Sequence, residues 1–416
     1  MEVNGRRVVI TGMGAITPIG NSVDEFWQSC LEGRSGIDYT TAFDASPYPA
    51  RIAGEVRDFD PTDYMELRDS RRMARFSHLS VAAARQAFQD AHLNLDKLDR
   101  TRVGVLLGVG IGGFPNLEEA VRTIRDKGGM RIDPLFFPKM LPNMAAGQLS
   151  LAFGIKGYSN TVSTACAAGT QALGDSLDII RKGRADVMIS GGAESAICEL
   201  GLCGFAVIRA LSTQNEPPEK ASRPFDAKRD GFVAAEGAAI FVLESLDHAL
   251  ARGANIWAEL AGYGSCNDAH HMVAPCADGE GAARAISWSL EDAGVEPEEV
   301  DYINAHGTST PLNDLAETVA VKKVFGELAY RIPISSTKSM IGHAFGGAGA
   351  IETLACIKAI ETGWIHPTIN YENPDPQCDL DYVPNEARRA DVRVVLKNSF
   401  GFGGQNACLV LKRLEG

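Results

Sequence analysis

The amino-acid sequence predicts an α/β protein built on a mainly parallel β-sheet. Short apolar runs at 103–108 and 186–190 have the composition of strands that are buried on both faces. A helical pattern at 171–181 separates them, so strand, helix and strand follow one another at close spacing. Because neighbouring parallel strands need a crossover connection, which is usually a helix, this alternation predicts a layered α/β fold.

The chain is long enough for two units of this kind. It has 416 residues, and a second series of the same elements begins after Gly253. The helix expected at 245–252 ends at that glycine, so we divide the chain into an N-terminal half, 1–252, and a C-terminal half, 253–416. The halves are alike in the order of their elements, without a clear residue-level repeat. The second series contains a strand at 256–260, a helix at 281–293 and a strand at 300–304.

The N-terminal region supplies further elements in order. A buried strand is expected at 8–11, and a glycine-rich turn at 12–20 follows it. The spacing of these glycines matches neither the dinucleotide-binding nor the P-loop pattern, so we interpret the segment as a structural turn. Beyond it, the sequence predicts an irregular loop at 37–65 and helices at 80–92, 116–126 and 140–153.

Composition and charge limit the functions that the chain can have. A net charge of −13 argues against nucleic acid as a bulk partner. Nine scattered cysteines without a C-x-x-C pair indicate neither a disulfide framework nor a zinc site, and they favour a reducing cytoplasm. The first seven residues lack the apolar core of a signal peptide, and no apolar run approaches the ~20 residues that span a bilayer. We therefore expect a cytoplasmic protein without a membrane segment.

One cysteine has the sequence context of a nucleophile. A β-branched run at 160–164 leads to Cys166, small residues follow, and a helical pattern begins at once. This order places the thiol at a sharp turn between a strand and a helix. Unpaired backbone N–H groups and the positive end of the helix dipole favour the reactive thiolate there. A buried structural cysteine is the alternative interpretation.

Three further segments carry residues suited to the same chemistry. His306 lies where the last predicted strand passes into a loop rich in small residues and hydroxyls. Lys338 and His343 share a segment that precedes a tightly packed helix start. A glycine-rich turn at 398–406 offers backbone N–H groups that can stabilise an oxyanion. No metal site is expected, because the adjacent pair 270–271 of histidines lacks further ligands at a recognised spacing.

Together these segments resemble the β-ketoacyl-acyl-carrier-protein synthases, condensing enzymes of the thiolase fold, and type II most of all. The resemblance covers nearly the whole chain and implies two duplicated βαβαβ-type halves in an α-β-α-β-α sandwich. It implies a decarboxylative Claisen condensation, in which malonyl on acyl carrier protein extends a cysteine-bound acyl chain by two carbons. It implies a homodimer, and no cofactor beyond the phosphopantetheine of the carrier. The matching segments are 163–166, 209–213, 222–233, 304–310, 338–343 and 398–404.

The resemblance also implies a role for each matching catalytic residue. Cys166 accepts the acyl chain, while His306 and His343 serve malonyl decarboxylation and stabilise the enolate. Two neutral imidazoles can do so by donating Nε2–H to the enolate oxygen in a dry site. The backbone N–H groups of Cys166 and Phe402 are implied to form the oxyanion hole, and the ring of Phe402 to gate the acyl pocket.

Other matching residues are implied to support the site. Lys338 organises it together with Glu317, and Asp314 lies near it. Thr308 and Thr310 match positions that touch the phosphopantetheine arm. The remaining matches are Ile111 in the acyl pocket near the dimer interface, and Arg68, Arg71 and Arg72 on the basic face that receives the acidic carrier protein.

Two other functions stay open at this point. The catalytic ketosynthase of a type II polyketide system shares this chemistry but acts as a heterodimer. A non-catalytic chain-length factor lacks the nucleophile, so Cys166 counts against it. Four positions depart from residues that are common in relatives and leave the preferred acyl length open: Tyr158, Val273, Phe345 and Gln405.

Overall fold

A computed structural model of the chain describes residues 6–414, so the expectations for the first five residues lie outside it. Within this range, no helix combines the length and the apolar character that crossing a membrane requires.

The strands are β1 (Val8–Ile16), β2 (Ile37–Tyr39), β3 (Ile52–Gly54), β4 (Val103–Gly108), β5 (Ser159–Val162), β6 (Val187–Glu194), β7 (Gly237–Ser245), β8 (Ala258–Asn267), β9 (Tyr302–Asn304), β10 (Ile334–Ser335), β11 (Trp364–Ile365), β12 (Arg388–Arg389), β13 (Val394–Gly401) and β14 (Gln405–Lys412). The α-helices are α1 (Val23–Leu31), α2 (Leu67–Ser70), α3 (Arg75–Asp90), α4 (Phe114–Lys127), α5 (Phe136–Met140), α6 (Met144–Phe153), α7 (Ala168–Arg181), α8 (Glu199–Val207), α9 (Leu246–Ala251), α10 (Glu280–Ala293), α11 (Pro311–Phe325), α12 (Lys338–Ile341) and α13 (Phe345–Thr362).

The main sheet has ten strands and consists of two equivalent halves. The spatial order is β5-β4-β6-β7-β1 in the first half and β10-β9-β13-β14-β8 in the second. In both, the first three strands in this order pair in parallel, and the two remaining pairings are antiparallel. The implied duplication is therefore confirmed. The sheet is mixed rather than mainly parallel, because β7 and β14 return antiparallel to their neighbours.

Helices cover both faces of each half. α3 and α6 pack on the outer face of the first half, and α10 packs on the outer face of the second with α11 beside it. α7 and α13 pack against each other and against strands of both halves, so they form the central layer. The apolar side chains of the strands divide between these layers by the two-residue alternation of a strand. This five-layer arrangement is the predicted α-β-α-β-α sandwich.

The two halves meet at their first strands. β1 and β8 share two antiparallel residue pairs, Val9–Glu259 and Ile10–Ala258, which make the sheet continuous. The connection between the halves runs from the end of α9 to the start of β8. The division after residue 252 stays a prediction, because the sheet and the central helix layer are shared across it.

The glycine-rich segment after the first strand differs from the prediction. β1 continues through Ile16, so Gly12 and Gly14 lie within the strand and not in a turn. A β-carbon at either position would collide with a backbone carbonyl of α3, at Ala87 and Ala83 respectively. These glycines therefore allow a helix to lie directly on the strand, which is the other common use of glycine. The helix predicted at 140–153 is likewise divided into α5 and α6.

Glycines also allow the two central helices to cross at close range. A β-carbon on Gly169 of α7 would lie 2.8 Å from the carbonyl oxygen of Gly346 and 3.0 Å from the backbone nitrogen of Ala350. A β-carbon on Gly349 of α13 would lie 2.8 Å from the backbone nitrogen of Thr170. It would lie still closer, at 2.2 Å, to the side-chain oxygen Oγ1 of Thr170. The backbone atoms at both positions cannot move aside by a change of rotamer. The crossing holds the start of α7 against the start of α13.

We expect Gly349→Ala to lower the melting temperature, because the added methyl group overpacks this crossing by about 1–3 kcal/mol. Gly204→Ala is the matched control, since Gly204 lies in α8 with no atom within 4 Å of a built β-carbon. That change should leave stability unchanged or raise it by up to ~1 kcal/mol. Thermal denaturation followed by circular dichroism measures both, and a G349A protein as stable as wild type would contradict the close crossing.

Candidate active site

Cys166 lies on a 3-10 turn between β5 and α7, where the sequence predicts it. Ala165, the preceding residue, has a φ of +50°, a left-handed conformation that non-glycine residues seldom adopt. The end of β13 packs directly on this segment, since a β-carbon on its last residue, Gly401, would lie 3.1 Å from the backbone nitrogen of Cys166. The backbone N–H of Phe402 is close enough to the sulfur to favour its anion. Both N–H groups implied for the oxyanion hole therefore belong to the same small region.

The nucleophile and the two predicted histidines come together at one point. One side-chain atom each of Cys166, His306 and His343 lies within 4.8 Å of the others. The two imidazole rings are 5.4 Å apart between centroids and nearly perpendicular, at 82°. His306 follows β9, and His343 follows α12 just before α13 begins. Both histidines are only 2% exposed and Cys166 is half-buried, so the imidazoles meet the thiol at the inner end of the cavity.

Burial dominates the acid–base behaviour of the sulfur. It raises the pKa of the Cys166 thiol to about 12, although the ammonium of Lys338 and the N–H of Phe402 act in the opposite direction. The expected resting thiolate is therefore wrong for this site. The argument from the helix terminus omitted the cost of placing an anion in a poorly solvated cavity. A neutral thiol at physiological pH must lose its proton as it attacks.

The same burial keeps both imidazoles neutral. The pKa of His306 is well below its usual value because the ring is desolvated, and the charge of Lys338 lowers it further. The pKa of His343 is lowered well below the usual range for the same two reasons. The Nζ of Lys338 lies 3.3 Å from Nδ1 of His306. Because an ammonium can only donate, Nδ1 must accept, which leaves the proton of His306 on Nε2.

His343 has unused hydrogen-bonding capacity. Among residues 6–414, neither of its ring nitrogens has a hydrogen-bond partner. Buried polar groups are nearly always paired, so an unpaired buried imidazole that lines a cavity indicates a group reserved for a ligand. Its ring instead packs edge-on against Phe232, with 5.3 Å between centroids, and lies 5.4 Å from Phe345.

The organising role of Lys338 stays a prediction, and the ammonium forms its ion pair with a carboxylate other than the expected Glu317. Its ammonium forms an ion pair with Glu352 of α13 and donates to the carbonyl oxygen of His306 at 2.7 Å. Glu317 instead accepts hydrogen bonds at 2.8 Å from the backbone N–H groups of His306 and Gly307. Glu317 thus fixes the histidine's backbone turn, while Glu352 fixes the lysine.

Asp314 and the two threonines form the wall next to this turn. One oxygen of Asp314 accepts from the backbone N–H of Thr308 at 3.0 Å, and the other accepts from that of Phe225 at 2.8 Å. The hydroxyls of Thr308 and Thr310 are 2.9 Å apart, and both residues line the cavity. Thr310 also caps the N-terminus of α11. Their hydroxyls are therefore held in place beside the reacting groups.

A cavity of about 360 Å³ contains the three reacting side chains. Phe402 lines it, as do Val273 and Phe345, two of the four departures. Gln405 lies outside the described lining, in the pairing of β14 with β8, and Tyr158 is 37% exposed beside β5. Further lining residues include Phe205, Arg209, Asp230, Phe232, Leu312, Phe400 and Asn406.

Ile111 and the three arginines lie apart from this cavity. Ile111 packs in the apolar cluster behind Phe345, and its backbone N–H donates to Glu194 at 3.0 Å. Glu194 also accepts from Gly110 and Gly112, and burial raises its pKa to about 7. The three predicted docking residues are exposed on and just after α2: Arg68, Arg71 and Arg72.

The side chains of Cys166, His306 and His343 are also potential metal ligands. A thiol and two imidazoles are good ligands for a soft cation. However, Lys338 places a buried ammonium beside His306, and the charge of Lys397 also acts on both histidines. These positive charges oppose a bound cation and favour an anionic or carbonyl ligand. The arrangement therefore suits acyl transfer better than metal binding.

Two family models match the chain. They are "Beta-ketoacyl synthase, N-terminal domain" over residues 5–249 and "Beta-ketoacyl synthase, C-terminal domain" over residues 257–372. The chain belongs to the β-ketoacyl synthase family. It is 52% identical over 410 residues to a 3-oxoacyl-[acyl-carrier-protein] synthase 2 of Synechocystis sp., with 99% of each chain covered. It is 48% identical to the protein of the same name from Staphylococcus aureus (strain COL), with the same coverage.

Solved structures of β-ketoacyl synthases share the whole fold. A ketosynthase/chain length factor of ishigamide has a TM-score of 0.92 at 40% identity, covering 99% of this chain and 100% of its own. A β-ketoacyl synthase from Burkholderia phymatum has a TM-score of 0.91 at 38% identity, with the same coverage. The predicted family, its thiolase-like fold and its condensing acyltransferase activity are therefore confirmed.

We expect alkylation of Cys166 by iodoacetamide to accelerate about tenfold per pH unit between pH 6 and 9. The reason is that a pKa of about 12 leaves the thiolate fraction rising through this whole range. Mass spectrometry of the peptide that contains Cys166 measures the rate, and the Cys166→Ala protein gives the background from the other cysteines. A rate that levels off below pH 8 would show a resting thiolate and contradict the effect of burial.

Proposed function

We propose that Cys166, His306 and His343 carry out the family's decarboxylative condensation in this chain, on substrates delivered by acyl carrier protein. The observation that supports this most directly is the meeting of one thiol and two neutral imidazoles within 4.8 Å, inside a cavity lined mainly by apolar residues. Acyl transfer needs the nucleophile, and carbanion chemistry needs neutral hydrogen-bond donors. The proposed product is the chain lengthened by two carbons, as in fatty acid synthesis.

The first step in this proposal is acylation of Cys166. The sulfur attacks the carbonyl carbon of the carrier's acyl thioester, and its proton passes to a neutral imidazole of the pair. The oxyanion of the tetrahedral intermediate accepts hydrogen bonds from the backbone N–H groups of Cys166 and Phe402. The carbon–sulfur bond to the carrier then breaks, and the phosphopantetheine thiol leaves with a proton. The acyl chain remains on Cys166 as a thioester.

The second step is decarboxylation of malonyl bound to a second carrier. The bond between the methylene carbon and the carboxylate breaks, carbon dioxide leaves, and the electron pair forms a thioester enolate. Nε2–H of His306 and a ring N–H of His343 donate to the enolate oxygen. Loss of one such donor in a dry site typically costs on the order of a hundredfold in rate. The anion therefore forms without a strong base.

The third step forms the new carbon–carbon bond. The enolate carbon attacks the acyl carbonyl on Cys166, and the same two backbone N–H groups stabilise the tetrahedral oxyanion. The thioester bond to Cys166 breaks, and the elongated β-ketoacyl chain leaves on the carrier. The sulfur anion that remains takes up one proton from water, which replaces the proton that left with the first carrier's thiol. No redox change occurs, so the step needs no oxidant or reductant.

Thr308 and Thr310 are proposed to receive the phosphopantetheine arm. Their hydroxyls are fixed at the cavity wall and can pair with the amide groups of such an arm. Outside, Arg68, Arg71 and Arg72 form no ion pair with any residue between 6 and 414. In a chain of net charge −13, this cluster of free cations is a suitable dock for an acidic carrier protein.

The proposal includes a homodimer. β5 is the edge strand of the main sheet, and its Ser159 and Asn160 are exposed. Nearby elements expose large apolar side chains, with Phe137 62% and Leu151 75% exposed. An unpaired edge beside apolar surface is a feature that a second copy can cover.

The proposal also includes a cytoplasmic location, since nine free thiols suit a reducing compartment.

A polyketide ketosynthase is the second candidate. One solved structure with a TM-score of 0.91 at 39% identity is a type II PKS ketosynthase in complex with its acyl-carrier protein, bound to a hexaketide. The higher identity to two proteins named 3-oxoacyl-[acyl-carrier-protein] synthase 2 favours fatty acid elongation. A chain-length factor without catalysis is disfavoured by the complete set of Cys166, His306 and His343.

The decisive test uses the purified chain alone, with malonyl-carrier and a panel of acyl-carriers from short to long. We expect condensation, an acyl mass on the Cys166 peptide, and a native mass of two chains. Cys166→Ala should abolish condensation, because no other thiol can hold the acyl group. Cys203→Ala is the matched control, as this half-buried cysteine of α8 lies outside the described cavity lining. Condensation retained in C166A would overturn the assignment, and activity only with a different partner chain would favour the polyketide alternative.

Phe345 is proposed to shorten the acyl pocket. Its ring stacks on Phe205 at 4.9 Å and 10°, and lies 5.8 Å from the ring of Phe232. Ile111 packs behind the same rings. The three rings line the cavity that holds Cys166, and Ile111 lies in their apolar cluster without lining it. We propose that a long acyl chain would extend toward this cluster.

We expect Phe345→Leu to raise kcat/KM for long acyl-carriers relative to short ones by about tenfold, the scale of one or two methylenes of apolar contact. The same substrate panel measures this ratio. Phe59→Leu is the control, because Phe59 stacks on Tyr64 away from the cavity. An unchanged ratio in F345L would show that these rings do not set the length limit.

A further inference from the structure

Lys397 is a buried lysine that the proposed mechanism leaves unused. It lies on β13, and its side chain is fully buried. Its ammonium is 2.6 Å from Oε2 of Glu352 and 2.7 Å from Oγ of Ser399, and it also donates to the carbonyl oxygen of Asn398. A charge removed from water is costly unless it is paired and hydrogen-bonded. Here the ammonium donates two hydrogen bonds, to Asn398 and Ser399, and the carboxylate of Glu352 balances its charge at ion-pair distance.

Glu352 is shared between two lysines. Its Oε2 faces Lys397, and its Oε1 forms the ion pair with Lys338. All three side chains are at most 1% exposed. Two ammonium groups on one carboxylate leave a net positive charge in the interior, which a simple ion pair would avoid. Since even a balanced buried pair is seldom a net gain in stability, stability alone does not account for this arrangement.

The cluster of Lys338, Glu352 and Lys397 is connected both to the turn that carries His306 and to the helix that follows Cys166. Through Glu352 it holds Lys338, whose ammonium contacts the carbonyl oxygen and Nδ1 of His306. Through Ser399 it reaches Thr170, because the two hydroxyls are 2.7 Å apart. Thr170 lies in the first turn of α7, the helix that begins just after Cys166. One ammonium therefore connects the histidine turn with the nucleophile's helix.

We propose that Lys397 is a positioning residue for the condensation: it holds Glu352 from the side opposite Lys338, and so keeps Lys338 on His306 while Ser399 ties the cluster to the cysteine helix. This inference rests on the proposed condensation. The ammonium of Lys397 forms no hydrogen bond with the sulfur of Cys166 or with the imidazole of His306 or His343. Its role is exerted through Glu352 and Ser399, which it touches directly.

The charge of Lys397 also acts on the reacting groups. It adds to burial and to Lys338 in lowering the pKa of His306 and of His343. Without it, both imidazoles would protonate at a higher pH, and an imidazolium cannot accept the thiol proton. The titratable groups on elements packed around it are Glu352 and Cys356 of α13, Lys338 of α12, Cys408 of β14 and the two histidines.

The test compares wild type with Lys397→Met, which keeps the side-chain length and removes the charge. Lys358→Met is the matched control, because Lys358 is another largely buried lysine of the same region, paired with Glu361 on α13. Condensation is measured with malonyl-carrier and acyl-carrier between pH 5 and 8. Circular dichroism and thermal denaturation establish that each protein is folded.

We expect K397M to lower kcat about tenfold or more at pH 7, as a misplaced donor does, while KM for malonyl-carrier stays within about twofold. The acidic limb of its pH profile should move to higher pH, because the imidazole pKa values rise when the positive charge is removed. Acylation of Cys166 should still occur in the mass assay. K358M should lose stability and keep both kcat and the pH profile.

A folded K397M protein with wild-type kcat and an unmoved acidic limb would overturn the proposal. A loss of rate in K397M that only follows its unfolded fraction would overturn it as well. Should K397M not fold, Ser399→Ala provides the test, since it removes one acceptor of the ammonium at little cost in volume. There we expect kcat to fall about threefold at constant KM, and an unchanged kcat would contradict the role. Failure of wild type to condense would instead refute the proposed function.

Discussion

The close crossing of α7 and α13 is the constraint on which the rest of the site depends. α7 begins two residues after the nucleophile, and α13 begins two residues after His343 and carries Glu352. Because Gly169 and Gly349 bring the two backbones into contact, the starts of both helices reach the same cavity. Larger residues at these positions would separate the sulfur from the imidazoles without touching either. The chemistry is therefore set by packing between helices before any catalytic side chain is considered.

Exclusion of water then gives each reacting group its protonation state. Burial disfavours the thiolate of Cys166 and the imidazolium of both histidines, so all three groups rest uncharged. The positive charge of the site is carried by Lys338 and Lys397, the two lysines that pair with Glu352. This separation lets neutral donors face a developing enolate while nearby cations stabilise negative charge at a distance. A site with charged imidazoles would lose its proton acceptor for the thiol.

Local sequence predicts the reacting residues of this site, but not how the buried charged residues beside them pair. Cys166 and His306 lie at strand ends followed by small residues, a pattern that is legible in a few positions. Glu352 lies in an apolar helix, and its pairing with Lys338 joins segments that only the fold brings together. Lys397 lies in β13 between the apolar run 394–396 and two polar residues, Asn398 and Ser399, so nothing local distinguishes it from a solvent-facing lysine.

Glycine was the residue most open to misinterpretation. At 12 and 14 it suggests a turn, yet in the structure it lets α3 lie on β1. The two uses differ only in what packs against the glycine, which depends on a helix about seventy residues away. The thiolate expectation failed for a related reason, because a helix terminus is visible in sequence whereas the solvation of the atom beside it is not.

α7 follows β5 and α13 follows β10, each of which is the third main-sheet strand of its half in chain order. The two helices are therefore counterparts. Cys166 and His343 therefore occupy equivalent stations on either side of an approximate internal dyad. Two identical halves would present the same side chain twice across that axis. Here one side carries sulfur and the other imidazole, so a repeated backbone arrangement supports two different chemical roles within a single polypeptide.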